Sequence, residues 1–409
     1  MELRWRPDQL FPVLEKLRPV LPPGLTGEMP WSIASVARSL LVVYKLTGNG
    51  VRYSRRKNFY PPKRYADQYY SYHYVTKAVD QLADLGLAKA FTGYWYNSAN
   101  RGWQSTATAT SALVNLTGDV VERREGRGEP ERFEAIVLRK SKDDLDGEDI
   151  SDLKDYSDTD EVAKMRVQVE VINTSLGTLD VWVGSGQTFG TVRGRRIFNG
   201  TFDRGGRFYL QGDSVQNMPR RHRAWVRLQL DGELRDTVEL DYKSLHPVMA
   251  YTQMGLPIPV GDLYEIEGYD RDVVKRAFLI MLNARDLPSA MKALTHHLRT
   301  YAEHRTLCGI ESSSGKLPRI VAEYIVEAIA EKHEPIKELF GSDCGARFMR
   351  TDSDMAIQVM LQMIEKTGRC PLPVHDSFIV VTEDQEDLQA TMLKVAGNRG
   401  LDLQVDRKS

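Results

Sequence analysis

Two aspartates, Asp241 and Asp376, stand where predicted strands meet turns, and together they could hold metal ions. Asp241 closes the alternating segment 237–241, and Asp376 lies in a short turn before the apolar run 378–382. Brought side by side, two strand-end carboxylates can bind a pair of divalent ions about 3.5–4 Å apart, which activate the attacking oxygen and stabilise the leaving oxygen of a phosphoryl displacement. Mg²⁺ suits this role because it prefers oxygen ligands and shares substrate phosphates. Taken singly, either aspartate is best explained as a structural cap.

Basic residues at helical spacing supply a complementary feature. Arg271 and Lys275 stand at i and i+4 in the predicted helix 269–284, so they share a helix face and can both reach a triphosphate. A second group, Arg220, Arg221 and Arg223, follows a Gln-Asn pair. For that group, simple attraction to phosphate is the alternative explanation, since it supplies affinity without catalysis.

The order of these motifs resembles that of the family A nucleic acid polymerases, which include the DNA polymerase I type and the phage-type single-subunit RNA polymerases. Asp-Tyr-Lys-Ser-Leu-His at 241–246 is similar to motif A, 271–276 is similar to motif B, and Val-His-Asp-Ser-Phe at 374–378 is similar to motif C. Gly-Gly-Arg-Phe-Tyr at 205–209 and the segment 214–220 are similar to the parts of that family that contact the template–primer duplex.

The resemblance implies a role for each matched residue. Asp241 and Asp376 hold two Mg²⁺ ions, with Mn²⁺ as an alternative, and the backbone carbonyl of Tyr242 assists. Arg271 and Lys275 hold the phosphates of the incoming nucleotide, and Lys275 is placed to protonate the leaving pyrophosphate. The residues expected to position the primer strand are Arg207, Gln216, Asn217, Arg220 and His375.

Three further nucleotide-binding candidates, Phe278, Asn283 and His246, lie where the chain departs from the family pattern. The motif B tyrosine is replaced by Asn283, and Phe278 lies one residue off that helix face. His246 stands where the DNA polymerases have Glu and the RNA polymerases have Gly. Its ring could block a ribose 2′-OH, which favours deoxynucleotides, or hydrogen-bond it, which favours ribonucleotides. We predict a DNA polymerase because motif A and segment 214–220 look more like that branch. An RNA polymerase or primase on the same palm is the alternative.

The first 117 residues predict a separate DNA-binding domain. A helix over 31–46 that ends at Gly48, a basic loop, a helix over 71–86 with Ser71 as its N-cap, and two β-rich stretches (87–96 and 105–113) around a turn at 97–102 resemble the winged-helix domains of replication initiators and transcription regulators. In those domains the second helix enters the major groove. Winged helices that bind proteins are the alternative. The residues expected to face DNA are Tyr72, His73, Thr76, Lys77 and, in the wing, Arg101.

Charge is segregated along a chain whose net charge is only −1. Residues 1–110 hold 15 Lys and Arg against 7 Asp and Glu, a balance of +8. Residues 143–161 hold ten acids against Lys154 alone, and nine arginines follow over 193–227. Two basic regions separated by an acidic connector favour a protein that grips a polyanion in two places. An ordinary solvated surface is the alternative.

These observations predict an α+β chain in three parts, the last of which has helices over 269–284, 287–302, 317–338, 352–367 and 384–397. A winged-helix domain occupies 1–117, an acidic connector with a reduced thumb occupies 118–200, and a right-hand palm and fingers domain occupies 201–409. Because the thumb is short, we expect the winged helix to supply the grip on DNA during replication. A non-catalytic replication initiator is a third hypothesis, disfavoured because both carboxylates and Lys275 are present.

The remaining sequence features concern location. The three cysteines have spacings that make neither a zinc site nor a disulfide framework. No apolar run follows the charged start, and no stretch of about eighteen apolar residues occurs. We therefore expect a cytoplasmic protein with no membrane partner, whose partners are template–primer DNA and nucleoside triphosphates. The sequence leaves protein partners and oligomeric state open.

Overall fold

The structure, a computed structural model, describes residues 5, 7–66, 69–96, 101–120, 133–141, 152–184, 186–188, 192–212 and 214–408. It divides into two compact units. The first comprises Met1–Glu134 and Leu138–Ser157, and the second comprises Ala135–Val137 and Asp158–Ser409. Both contain helices and sheet, which confirms the predicted α+β class. Within the described ranges, no helix is long and apolar enough to cross a bilayer.

The first unit combines helices with a small antiparallel sheet of order β1-β5-β2 and a separate hairpin, β3–β4. Its core is formed by apolar side chains of the helices and the sheet, with Leu40, Val79 and Leu82 among those almost fully buried. Its described elements are α1 (Pro7–Leu17), α2 (Met29–Thr47), β1 (Val51–Tyr53), α3 (Tyr72–Asp84), β2 (Ala88–Phe91), β3 (Tyr94–Tyr96), β4 (Arg101–Trp103), β5 (Ser105–Ala109) and α4 (Ser111–Thr117).

The helix boundaries of this unit follow from local chemistry. α2 ends at Gly48, which adopts a left-handed φ of 69°. α3 begins after Ser71, whose hydroxyl accepts a hydrogen bond from the backbone N–H of Tyr74 at 3.3 Å. Both features were predicted from the sequence. The strand expected over 105–113 is shorter, because the chain turns into α4 after Thr110.

The second unit begins with β6 (Ile136–Arg139), which starts in this unit and ends in the first. The predicted helices at 269–284, 287–302 and 384–397 are present within two residues. The helix predicted over 352–367 begins earlier, at Gly345. The elements that follow β6 are α5 (Asp160–Leu176), β7 (Asp180–Val183), β8 (Gln187–Thr188), β9 (Gly194–Asn199), β10 (Thr201–Leu210), α6 (Arg220–Arg223), β11 (Val226–Leu230), β12 (Glu233–Tyr242), α7 (Leu245–Gln253), α8 (Arg271–Asn283), α9 (Leu287–Thr300), α10 (Ala302–Leu307), α11 (Leu317–Lys332), α12 (Gly345–Thr367), β13 (Leu372–Val374), β14 (Ser377–Val381), α13 (Gln385–Gly397) and β15 (Val405–Arg407).

The larger sheet of this unit has the order β13-β14-β12-β11-β7-β8, and β15 also pairs with β12. Every residue of β14 is buried, as expected for a strand covered on both faces. β12 instead alternates. Leu240 and Tyr242 are buried, and the Tyr242 hydroxyl donates to the Met392 carbonyl of α13 at 2.7 Å. Because side chains alternate along a strand, Glu239 and Asp241 project from the opposite face.

A smaller sheet, β10-β9-β6, is fastened to α12 by a buried arginine. Arg196 is 1% exposed. Its guanidinium donates to the Ser353 hydroxyl at 2.8 Å, to an Asp354 oxygen at 2.7 Å and to the Gly206 carbonyl at 2.8 Å. A buried cation is tolerated when its donors are satisfied in this way. The pairing fixes α12 against β10, the strand that carries Arg207.

Candidate active site

The two predicted carboxylates are neighbours in the folded chain. β12 and β14 pair antiparallel, with Asp241 directly opposite Ser377. Asp376 immediately precedes Ser377, in the two-residue turn between β13 and β14. Because opposed residues of antiparallel strands have Cα atoms about 4.5–5.5 Å apart, this register brings the two aspartates together.

Each aspartate is followed or preceded by a residue with an unusual backbone conformation. His375, beside Asp376, has a φ of 62°, and Ser244, three residues after Asp241, has a φ of 50°. A left-handed conformation costs a non-glycine residue roughly 1–2 kcal/mol, and such residues concentrate at functional sites. The turns that present the carboxylates are therefore held by surrounding contacts rather than by local preference.

The charges of the pair are incompletely balanced. Burial, and then the negative charge of Asp376, raise the pKa of Asp241 to about 6, against the opposing effect of Lys408 and Lys275. Burial also acts to raise the pKa of Asp376, but Lys408, His246 and Arg207 outweigh it and leave that pKa below its ordinary value. The Oδ1 atom of Asp241 is buried without a hydrogen-bond partner.

This environment fits a divalent cation. Two neighbouring buried carboxylates, of which Asp241 has an unpartnered oxygen and a raised pKa, offer the oxygen ligands that a hard cation prefers. Among the described residues, no group of three or more His, Cys, Asp or Glu side chains is arranged to hold a metal. Water and substrate phosphates would therefore complete the coordination, as is usual for Mg²⁺. Since the Tyr242 side chain packs on the other face of β12, only its backbone carbonyl could contribute.

Arg207 reaches the site because β10 is distorted at Gly205 and Gly206. These glycines have φ values of 77° and 81°, and the register with β9 shifts there, as in a β-bulge that re-aims the next side chain. The Arg207 guanidinium donates from Nε to Asp352 Oδ2 at 2.8 Å, and its Nη2 lies 2.7 Å from the same oxygen. Burial raises the pKa of Asp352 to about 6 despite Arg207.

Arg271 and Lys275 share a face of α8, as predicted. Both flank the ring of Tyr264, the Arg271 guanidinium carbon at 5.5 Å and Lys275 Nζ at 5.9 Å from its centre. Arg271 is already paired with Asp262, Nε to Oδ2 at 2.5 Å. Lys275 is exposed and makes no hydrogen bond or ion pair with the described residues. Its positive charge opposes the rise in the pKa of Asp241, so the two groups interact electrostatically.

His246 lies in the first turn of α7 and is 8% exposed. Burial lowers its pKa to about 4; Asp376 opposes this shift, while Arg207 and Lys275 reinforce it. The ring is therefore neutral near pH 7. His246 therefore interacts electrostatically with Asp376, Arg207 and Lys275. A neutral imidazole there can donate one hydrogen bond and accept another.

Two further predicted nucleotide contacts, Phe278 and Asn283, differ in exposure. Phe278 is fully buried and packs edge-on against Tyr264 and Phe340. Asn283 donates to the Leu279 carbonyl at 2.7 Å, and its side chain fills the space in which Gly345 has no Cβ. Phe278 forms part of the core, so the prediction that it contacts the nucleotide is wrong, whereas Asn283 is exposed and its nucleotide contact stays a prediction.

The predicted primer-contacting residues differ in their surroundings. Gln216 is used inside the protein, since its amide accepts from the Leu210 N–H at 2.9 Å and donates to the Pro373 carbonyl at 3.1 Å. It thus joins the end of β10 to β13, next to the His375 turn. Asn217 donates to the Gly212 carbonyl at 3.0 Å. Arg220 is exposed and has no ion pair within the described residues. Burial lowers the pKa of His375, whose Nδ1 atom is buried without a partner.

The predicted DNA-facing residues of the first unit are mostly exposed. Tyr72, His73 and Lys77 are exposed on α3. Thr76 is 7% exposed, and its hydroxyl donates to the Tyr72 carbonyl at 2.7 Å, so the prediction that it faces DNA is wrong. The helix period turns Thr76 toward the core. The backbone of Arg101 lies in β4, but its side chain is outside what the structure describes.

Three residues of the site were missed from the sequence: Tyr264, Asp352 and Lys408. Lys408 Nζ lies 2.9 Å from Asp241 Oδ2. Asp352 sits in a Asp-Ser-Asp run on a helix, which was the one available signal. Tyr264 and Lys408 had none, because the loop that carries Tyr264 and the strand β15, which ends just before Lys408, are placed by long-range packing. No protein-family model matches the chain, and no curated protein sequence matches it significantly.

Proposed function

We propose that this chain is a template-directed nucleotidyl transferase of the family A type, with Asp241 and Asp376 as metal ligands. The observation that carries the proposal is the close pair of buried carboxylates with an unpartnered oxygen, one of which interacts electrostatically with the exposed Lys275. Two neighbouring buried carboxylates, one with an unpartnered oxygen, beside an exposed lysine suit a metal–triphosphate complex. The motif order along the sequence supports the same conclusion.

The reaction would join a strand 3′-oxygen to the α-phosphorus of a nucleoside triphosphate and break its bond to pyrophosphate. When bound, the two divalent ions would activate the attacking oxygen and stabilise the leaving one. Lys275, free and exposed, would bind the β- and γ-phosphates and give its proton to the leaving group. Arg271 would share its guanidinium between Asp262 and a phosphate oxygen. Arg207, held by Asp352, would orient the strand end next to Asp376.

His246 bears on the choice of sugar. Its ring is neutral and nearly enclosed, so its position is fixed by packing. A fixed ring next to the nucleotide would exclude a 2′-OH by its bulk, and we therefore propose deoxynucleotides as the substrate. The alternative, in which the ring hydrogen-bonds the hydroxyl, would make the chain an RNA polymerase or primase.

The test is nucleotide incorporation with Mg²⁺ and either dNTPs or NTPs, on primed and on bare templates. We expect primer extension with dNTPs, and loss of at least about 10³-fold activity in Asp376→Ala. The exposed Glu383→Ala is the matched control and should retain activity. Ribonucleotide incorporation on bare template would favour the primase alternative. Undiminished activity in Asp376→Ala would overturn the catalytic assignment.

For the first unit we propose a winged-helix DNA-binding module. Its order of helix, strand, helix and hairpin, its sheet order β1-β5-β2 and the exposed Lys77 on α3 support this. Lys77→Ala should weaken DNA binding and lower the slope of log affinity against log salt by about 1. If deletion of residues 1–117 left product length and salt dependence unchanged, the module would have no part in holding the template.

A further inference from the structure

Lys408, which directly follows strand β15, contacts the candidate metal ligand Asp241. β15 pairs antiparallel with β12, placing Asp406 opposite Asp241. The backbone N–H of Lys408 donates to the Glu239 carbonyl at 2.9 Å. Its ammonium lies 2.9 Å from Asp241 Oδ2 and 3.3 Å from Glu239 Oε1. Because the main-chain ladder fixes this register, the contact is built into the fold and does not depend on a long side chain alone.

The two carboxylates that Lys408 touches depend on it unequally. Glu239 also accepts from Arg223 Nε at 2.8 Å, from Arg223 Nη2 at 3.1 Å and from the Ser377 hydroxyl at 2.6 Å. Asp241, in contrast, has an Oδ1 atom with no partner, and Lys408 is its only ion pair among the described residues. Lys408 therefore acts as the counter-charge of Asp241, while Glu239 is already neutralised by Arg223.

We propose that Lys408 is a tethered counter-ion that a divalent cation must displace from Asp241, so that it sets the metal affinity of the site. The inference rests on the proposed role of Asp241 as a metal ligand. The open Oδ1 offers the entering cation a first ligand. The ammonium can then leave Oδ2 and keep its contact with Glu239. Until it moves, its positive charge repels a cation bound to the same carboxylate.

Removing the ammonium should therefore strengthen metal binding. We expect Lys408→Met to bind Mn²⁺ roughly tenfold more tightly than the wild type, a difference of about 1.4 kcal/mol. Lys408→Arg keeps the charge and should bind like the wild type. Lys394→Met, an exposed lysine of α13, removes the same charge away from the carboxylates and is the matched control.

The measurement is a titration of the metal-stripped full chain with Mn²⁺ alone, in which free Mn²⁺ is followed by electron paramagnetic resonance. Neither nucleotide nor DNA is present. Unchanged or weaker binding by Lys408→Met would overturn the proposal, as would an equal gain in Lys394→Met. Absence of Mn²⁺ binding in wild type and variants would remove both this inference and the metal role of Asp241. Tighter binding in Lys408→Met without any nucleotide incorporation would sustain the inference and count against the polymerase proposal.

A second measurement separates this role from a purely structural one. Without metal, Lys408→Met leaves Asp241 uncompensated, so its melting temperature should fall below that of the wild type in EDTA. Saturating Mg²⁺ should restore the melting temperature, because ligands that bind the folded state stabilise it. An equal fall in melting temperature in EDTA and in Mg²⁺ would show that Lys408 only stabilises the pairing of β15 with β12, and the proposal would fail.

Discussion

Arg207 and Asp352 form a buried ion pair in which two guanidinium nitrogens share one carboxylate oxygen, at 2.8 and 2.7 Å. The Asp352 side chain is 3% exposed, whereas that of Arg207 is 21% exposed. The charges of Asp376 and Asp241 both act on Asp352. The pair thus joins β10 to α12, and both of its members interact electrostatically with Asp376.

A double-mutant cycle measures this connection. Removing one partner of a buried pair leaves the other uncompensated, at a cost of about 3–5 kcal/mol. We expect Arg207→Leu to lower the free energy of unfolding by that order, and the added change Asp352→Leu to recover a substantial part of the loss. Urea denaturation of the wild type, the two single variants and the double variant gives the coupling. Additive losses would show that the pair contributes no specific stability.

Removing the negative charge of Asp241 should raise the stability of the fold and lower the activity. At pH 7.5 its carboxylate is ionised in an environment that raises its pKa to about 6, so the folded state bears an electrostatic cost. We expect Asp241→Asn to raise the free energy of unfolding in EDTA by about 1–2 kcal/mol. Nucleotide incorporation should fall by at least about 10³-fold. A variant that is less stable in EDTA and still active would contradict both expectations.

Gly206 tests the bulge that aims Arg207. A Cβ there would lie 2.4 Å from the Phe198 ring, and φ is 81°. We expect Gly206→Ala to lose about 2–4 kcal/mol of stability, because strain and a steric clash add. Gly212→Ala is the control, since its φ is 69° but nothing lies within 4 Å of the new Cβ. It should lose only about 1 kcal/mol. If thermal denaturation showed equal losses of stability for Gly206→Ala and Gly212→Ala, the Phe198 ring would move aside at little cost.

His333 predicts a pH dependence away from the site. Its ring is fully buried, with Nδ1 3.1 Å from the Tyr251 hydroxyl and Nε2 2.9 Å from the Leu263 carbonyl. Burial lowers its pKa from 6.5 to about 4. Between these values the unfolded state binds more protons than the folded state, so stability falls as the pH decreases from about 6.5 towards about 4.

The variant His333→Gln lacks this titration. Over the same pH interval, the difference in unfolding free energy between wild type and His333→Gln should change by about 1–3 kcal/mol, in the direction of a relatively weaker wild type at low pH. The exposed His296→Gln is the control, because its ring is hydrated in both states. A difference that is flat with pH for His333→Gln would show that the ring is protonated as easily when folded as when unfolded.

Much of the secondary structure and part of the site could be predicted from local sequence. Ser71 and Gly48 mark helix ends through their own side-chain or backbone chemistry. The spacing of Arg271 and Lys275 placed them on one helix face, since the helical period is a local property. The positions of Asp241 and Asp376 at strand ends could also be predicted from the neighbouring residues. Their closeness in space, however, depended on the register between the strands.

Other features were decided only by the tertiary structure. Phe278 and Thr76 looked available for binding, but packing turns both inward. Asp352 lies 145 residues from Arg207 along the chain, so no local pattern links them. Lys408 reaches Asp241 because β15 happens to pair with β12. The sequence by itself determined the α+β class and the two candidate carboxylates, because periodicity and turn chemistry act over a few residues. The charges that surround those carboxylates were set by contacts between distant segments, whose register and burial exist only in the folded chain.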